Sequence, residues 1–452
     1  MMAPLLLFIH CSEGQDSNVQ ENLALAEFPA AESAVARRRV GIVAASRFPA
    51  PRGSQVHIGE MANALARSGE SVHLIGPLDP RAAEGLYRRH PLSRMAKFRP
   101  RPSVSGLHLL ERPFFDSLLV GRLFQVVRRE RLQILHAHNY EALAASLLVR
   151  GMLGVKVVYH AHNVAEDELP LYSPDWLASS VRASARKMDG VLPAMADAVV
   201  ALSADVGDHL VGRGVSAEKV WIIPPGLDPE PFQAGRREKR ERAVVFAGNC
   251  DGYQNLQHLF RAWEIVAASD PQAELRIVTH ARGAALKRWR CSALGPRIHF
   301  VEAQALSEVA AELGRARVGV SPRVSWSGFP IKNLNYMAAG LPTVALGASA
   351  KGVLDGISGW VVNSDEPADF ASCMLEALAS PAESGRRGAA AYQRVLAEHC
   401  WDSLIEPLLE CSQSVEERQG LHLVPRADPR NLPDNAEGDF SLQRVSSERF
   451  PL

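Results

Sequence analysis

Two parallel-sheet halves of the α/β class, joined by a proline-rich linker, are what this 452-residue sequence predicts. Three observations carry that reading. Short apolar runs alternate with amphipathic stretches from Val40 onward, the pattern of buried parallel strands separated by covering helices. The pattern runs once to residue 223 and restarts at Ala243. Between the two runs lie Pro224, Pro225, Gly226, Pro229 and Pro231, then the charge run GRREKRER, which reads as a solvated linker.

In the first half, residues 40–45 form a buried strand, followed by the loop SRFPAPRGSQ. The next helix repeats Ile58, Met61, Ala62, Leu65 and Ala66 at helical spacing, and a strand at 71–75 completes a βαβ unit. Further strands are expected at 133–137, 155–160, 198–202 and 220–223. In the second half the expected strands are 243–248, 274–279, 298–301, 318–321, 343–346 and 359–362, with helices over 256–268 and 306–314. The resulting boundaries are 37–225 for the first domain, 226–242 for the linker and 243–398 for the second. An amphipathic segment at 399–418, after a break at His399–Cys400, is expected to return to the first domain. Residues 1–36 and 419–452 sustain no period and are expected to be disordered.

Composition narrows the function. Lys and Arg together number 50, as do Asp and Glu, so the basic surplus of a general nucleic-acid binder is missing. Six scattered cysteines without a CxxC pair read as reduced thiols rather than a disulfide frame or zinc site. The apolar start MMAPLLLFIHC is too short to span a bilayer and has no basic flank, so a cytoplasmic protein is expected. No GxGxxG follows either opening strand, which argues against a dinucleotide-dependent oxidoreductase.

The densest motif is SGFPIKNLNYMAAGLP, 327–342. Gly328 supplies a turn at which backbone can approach a ligand, and Pro330 opens a helix whose first N–H groups are free. Lys332 in the first turn and Arg323 at the preceding strand end add two positive charges, together an anion site. Gly53 and Ser54 can close on the same anion from the first half. The pairs His136/His138 and His160/His162 each present two rings on one strand face. Zinc ligation is one reading of them; with no cysteine nearby, no metal is the expectation, and His136 and His160 read as core histidines.

Four stretches besides SGFPIKNLNYMAAGLP bear on identity. They are PAPRGSQVHIGEMANALARSGESVHLIGP, ILHAHNYEA with VVYHAHN, ADAVVALSADVGDHLVGRGVSAEKVWIIPPGLD, and KGVLDGISGWVV. In this order they resemble a family 4 glycosyltransferase of the GT-B architecture, over residues 38 to 411. That resemblance implies two Rossmann-like domains facing each other across a cleft, the first for acceptor and the second for donor. It further implies retaining transfer from a nucleoside-diphosphate sugar to a glycan, lipid-linked saccharide or small-molecule acceptor, with no further cofactor and no nucleic-acid partner. The residues it implicates as catalytic are His162, Arg323 and Lys332. For donor binding they are Gly53, Ser54, Asn249, Ser327, Gly328, Phe329, Pro330, Ile331 and Asn335; on the acceptor side, His138, Asn163 and Glu166. Ser327 and Asn335 stand where the family usually has a Glu pair, and Asn249 and Asn255 where it often has Arg and Lys. The sequence is closer to a variant pattern that keeps Arg323 and Lys332. These departures leave a second reading, a protein that binds nucleotide sugar or glycan with little turnover. The basic segment 87–102 reads either as a peripheral contact with the inner face of a membrane or as a solvated loop.

Overall fold

The computed structural model describes residues 37–48, 53–79, 85–92, 108–237, 239–280 and 297–420. A seven-stranded sheet comes first, in the order β3-β2-β1-β4-β5-β6-β7. Its strands are β1 Arg39–Ala44, β2 Ser71–Gly76, β3 Arg88–Pro91, β4 Ile134–His138, β5 Lys156–Ala161, β6 Ala198–Ala201 and β7 Val220–Ile222. A six-stranded sheet follows in the order β10-β9-β8-β11-β12-β13. It comprises β8 Ala243–Ala247, β9 Glu274–Thr279, β10 Ile298–Glu302, β11 Val318–Ser321, β12 Thr343–Leu346 and β13 Gly359–Val362. Each ladder is parallel. In both sheets the strand order reverses beside the first strand, between β1 and β4 and between β8 and β11. Loops leaving the carboxyl ends there diverge and open a crevice.

The central strands are apolar throughout because helices cover both faces. On one face of the first sheet, Ile58, Met61 and Leu65 from the helix Gly53–Arg67 pack with Val40, Ile42 and Leu74. Trp401, Leu404, Leu408 and Val415 of the last helix, Trp401–Gly420, complete that same core. The chain returns there beside the linker, where the Leu227 N–H donates to His399 O at 2.8 Å. The opposite face is closed by Leu123 and Val126 of His108–Glu130 and Leu143 and Val149 of Asn139–Leu153. In the second lobe Trp263, Tyr336, Phe246 and Phe370 are the largest fully buried side chains.

Two expectations need correcting. The start of the basic segment is an edge strand, β3, rather than a loop; it pairs with β2, and Arg88 lies 3.5 Å from Glu130. The charge run is not a solvated linker either. Arg240 donates to the carbonyls of Leu313, Ala316, Ala339 and Gly340 at 2.7–3.3 Å. These are orphan carbonyls at the C-terminal ends of two helices, Leu306–Arg315 and Ile331–Ala338, and a fixed cation there satisfies them. Glu241 binds Arg276 and Arg315, and Arg242 pairs with Asp270 at 2.6 Å. The segments 1–36 and 421–452, and Arg94, Lys97, Arg99 and Arg101, lie outside the described residues. Among the described residues no helix is long and apolar enough to cross a membrane.

Candidate active site

A cavity of about 380 Å³ opens between the two sheets' carboxyl ends. On the second-lobe side the chain leaves β11, passes Arg323, and turns at Pro330 into the helix Ile331–Ala338, so that Arg323, Ile331, Lys332 and Asn335 all reach the cavity wall. Arg323 is buried; it donates to Ser325 Oγ at 3.0 Å and Ser327 O at 2.5 Å and lies 5.3 Å from the Tyr253 ring centroid. Its Nε has no partner among the described residues. Lys332 Nζ donates to Gln254 Oε1 and sits 4.0 Å from the centre of the Phe246 ring. Burial, reinforced by Arg323, pushes the Lys332 ammonium well below the ordinary lysine pKa. Arg323 is lowered by burial too. Among the described residues neither cation is in an ion pair with a carboxylate.

The first-lobe side is built around a cluster of buried histidines. β4 and β5 are adjacent and in register, so His136 and His138 stand beside His160 and His162. His136 Nδ1 lies 2.8 Å from His160 Nε2, and His138 Nδ1 lies 2.8 Å from His162 Nε2. His57, from Gly53–Arg67, stacks on Trp401 at 5.4 Å and meets His162 edge-on at 5.5 Å. Burial lowers His57 and His136 to about 3 and His162 to about 4, so all three are uncharged near neutrality. Glu168, half-buried on the same side and accepting from Asn163 Nδ2 at 3.1 Å, is pushed upward by desolvation.

The walls are latched together. Asp167 accepts from Ser325 Oγ at 2.6 Å, from the Ser327 N–H at 3.1 Å and from Ser327 Oγ at 2.6 Å. Gly328 has φ +74, and a Cβ there would collide with Asn163 Oδ1 and lie 2.9 Å from His162 O. Lys351 adds a contact to Asp205 at 2.8 Å.

With two parallel Rossmann-like sheets and a cleft between them in place, likeness to known proteins becomes informative. Residues 51–231 match the model for Glycosyltransferase Family 4, and residues 241–380 match that for Glycosyl transferases group 1. The chain belongs to the family 4 glycosyltransferases. The glycosyltransferase is 24% identical over 407 residues to a D-inositol 3-phosphate glycosyltransferase of Pseudarthrobacter chlorophenolicus, covering 82% of this chain and 93% of the relative. It is 23% identical to the phosphatidyl-myo-inositol mannosyltransferase of Mycobacterium tuberculosis, covering 83% and 97%. Among solved structures it is similar to a sucrose-phosphate synthase from Thermosynechococcus elongatus, with TM-score 0.68, 18% identity and coverage of 85% and 100%. It is also similar to Anabaena HepE in complex with UDP and glucose, with TM-score 0.61, 15% identity and coverage of 84% and 100%. These likenesses establish the GT-B fold.

In this glycosyltransferase Gly53, Ser54, His162, Asn163, Asn249, Arg323, Phe329, Pro330, Ile331, Lys332 and Asn335 share the cavity wall. Four expected residues do not. Ser327 is fully buried and spent on Asp167. Gly328 lies against Asn163 and His162 of the opposite lobe and is not on the cavity wall. His138 is buried behind His162. Glu166 is held in ion pairs with Arg186 at 2.6 Å and Arg213 at 2.7 Å, which keep its carboxyl below the usual range despite some burial. Glu166, Asp189 and His209 lie close enough to hold a metal, but Asp189 already accepts from the N–H groups of Ala165 and Glu166 at 2.8 and 3.0 Å. Sequence reading missed Glu168, Tyr172, Tyr253 and Gln254 on the wall. Glu168 shares the run AEDE with two acids that face elsewhere, and a lone Gln254 carries no spacing signal at all.

Proposed function

We propose that this glycosyltransferase moves a sugar from a nucleoside-diphosphate sugar, bound in the cavity, to a hydroxyl of a glycan, lipid-linked or small-molecule acceptor, with retention. The observation that carries the donor assignment is the pair of buried cations, Arg323 and Lys332, without a carboxylate counter-ion. Buried charge without a partner is costly, and a diphosphate supplies the missing anion. Bonds from Arg323 and Lys332 then strengthen as the sugar–oxygen bond breaks and charge gathers on the leaving group. The N-terminus of Ile331–Ala338 and the backbone at Gly53 and Ser54 support the same phosphates. His162 and Asn163 face the sugar, Asn335 the ribose, and the wall at Gln304 and Ala305 the base. Retention rests on the family resemblance: acceptor hydroxyl and departing diphosphate share one face of the sugar, and a phosphate oxygen is the base beside the acceptor proton. HepE, solved with UDP and glucose, supports a nucleotide-sugar donor. The chemistry proposed needs no metal.

Calorimetric titration tests the clamp. Arg323→Ala and Lys332→Ala should each weaken nucleoside diphosphate by about 1.5–3 kcal/mol while leaving the free nucleoside nearly unaffected. Equal diphosphate affinity in wild type and both variants would remove the clamp.

A further inference from the structure

In the histidine cluster, hydrogen-bond directions can be read from what each imidazole nitrogen lacks. His138 Nδ1 and His162 Nε2 are 2.8 Å apart, so one of them donates. The other nitrogen of His138, Nε2, is buried with no partner among the described residues. Were His162 the donor, His138 would carry its proton on Nε2, a buried N–H with nothing to receive it. With His138 as donor, Nε2 is only an unused lone pair. Orphaned buried N–H groups are the rarer of the two defects. His138 therefore donates Nδ1–H to His162 Nε2. Burial keeps both rings neutral, so His162 holds its single proton on Nδ1, the nitrogen left for the cavity that it lines.

The neighbouring pair obeys the same rule in the opposite sense. His160 Nδ1 is the buried nitrogen without a partner, so His160 carries its proton on Nε2 and donates to His136 Nδ1 at 2.8 Å. His136 then donates from Nε2 to Ser412 Oγ at 3.3 Å, and the Ser412 hydroxyl donates to Leu408 O at 3.0 Å. Each proton from His160 to the last helix is used once. One pair thus delivers a donor to the last helix, and the other delivers a donor to the cleft. The two pairs keep separate directions although the His138 and His160 rings stack at 4.4 Å.

We propose that His138 is a positioning residue that fixes His162 as the Nδ1–H tautomer, so that the cavity offers the donor sugar a hydrogen-bond donor and no base at this position. His162 then recognises an accepting sugar oxygen. It does not take a proton from the acceptor hydroxyl. The link to the sugar rests on the donor assignment above; the tautomer itself does not.

Long-range proton–nitrogen correlation spectra of the free, histidine-labelled enzyme at neutral pH read the tautomer directly. His162 is assigned by its loss in His162→Asn. The expected signature is neutral with Nδ1 protonated; protonation on Nε2 in the wild-type enzyme overturns the proposal, and His162→Gln gives the same assignment should His162→Asn not fold. His138→Leu keeps the volume and removes the donor, whereas His138→Asn returns an N–H near the position of Nδ1. The Leu variant should lose the pure Nδ1–H signature and about tenfold or more in kcat/KM for the donor, and Asn should restore both. Affinity for nucleoside diphosphate alone should change by less than about twofold in each, since Arg323 and Lys332 are untouched. Equal losses in Leu and Asn with an unchanged tautomer overturn the positioning role. A tautomer shift in the Leu variant without loss of turnover overturns the link to the sugar. Diphosphate that binds no better than nucleoside to the wild-type enzyme counts instead against the donor assignment.

Discussion

The two walls of the cleft are made of opposite electrostatic material. On the second lobe, Arg323 and Lys332 are buried cations with only neutral partners. On the first, His162 lines the cavity with His57, His136, His138 and His160 clustered behind it, and burial lowers the pKa of all five. Cations with no carboxylate in ion-pair contact are satisfied by an anion, and a neutral imidazole such as His162 by hydroxyls and ring oxygens. On the proposed reading the contrast orients the donor: diphosphate toward the second lobe, sugar toward the first. It also explains why the latch between the walls is an acid. Asp167 gathers two hydroxyls and an N–H from the strand-to-helix turn that carries Arg323, without contacting Arg323 within ion-pair distance.

The contrast breaks most visibly if the charged wall is neutralised. Combined Arg323→Ala and Lys332→Ala substitution should lower kcat/KM by about 10²–10⁴-fold, two charge-assisted contacts' worth. A loss below tenfold in steady-state assays would mean that the cations do not face the leaving group. Loosening the latch should cost less. Asp167→Ala leaves the Ser325 and Ser327 hydroxyls and the Ser327 N–H without their acceptor, and about a ten- to hundredfold fall in kcat/KM is expected. Small-angle scattering should then show a larger radius of gyration; an unchanged radius with full activity would assign closure to other contacts, such as Lys351 with Asp205.

The histidine cluster shows itself in stability against pH. His57, His136 and His162 have folded pKa values of about 3, 3 and 4, below the unfolded value of 6.5. Their neutral folded forms bind fewer protons than the unfolded chain, so stability holds above pH 6.5 and falls as pH drops toward 4 and 3. Glu60, raised by burial from 4.5 to about 7, works the other way: its contribution is complete below pH 4.5 and fades as pH rises through 7. Between pH 4.5 and 6.5 three histidines oppose one carboxylate, and the net expectation is loss of stability toward acid. Urea midpoints across that range should fall with pH, and Glu60→Gln should steepen the fall. Midpoints independent of pH would show the histidines solvated.

Much of the second lobe was legible from its residues. Strands expected at 274–279, 318–321, 343–346 and 359–362 are Glu274–Thr279, Val318–Ser321, Thr343–Leu346 and Gly359–Val362 in the structure. Buried parallel strands are continuous apolar runs, and such runs need no tertiary knowledge to see. β3, RRHP, was not legible, because an edge strand of charged residues has no apolar run to reveal it. The helix Asp175–Met195 escaped for a related reason: its buried residues are Ala185, Asp189 and Pro193, too sparse for a period.

At the cleft the division is finer. The sequence by itself determined the strand-to-helix turn, Pro330 at its helix start, the two cations and the paired histidines, since each is a matter of residue type and local spacing. The tertiary structure alone decided what those groups face. Asp167 and Ser327 are 160 positions apart, and His138 and His162 are 24 apart. Ser327 became a latch, Gly328 a point of lobe contact and Glu166 an ion-pair partner through neighbours brought from elsewhere in the chain. Local pattern fixes which atoms a residue offers. Burial and partner choice depend on distant segments meeting, and the sum of those meetings set the charge of each wall.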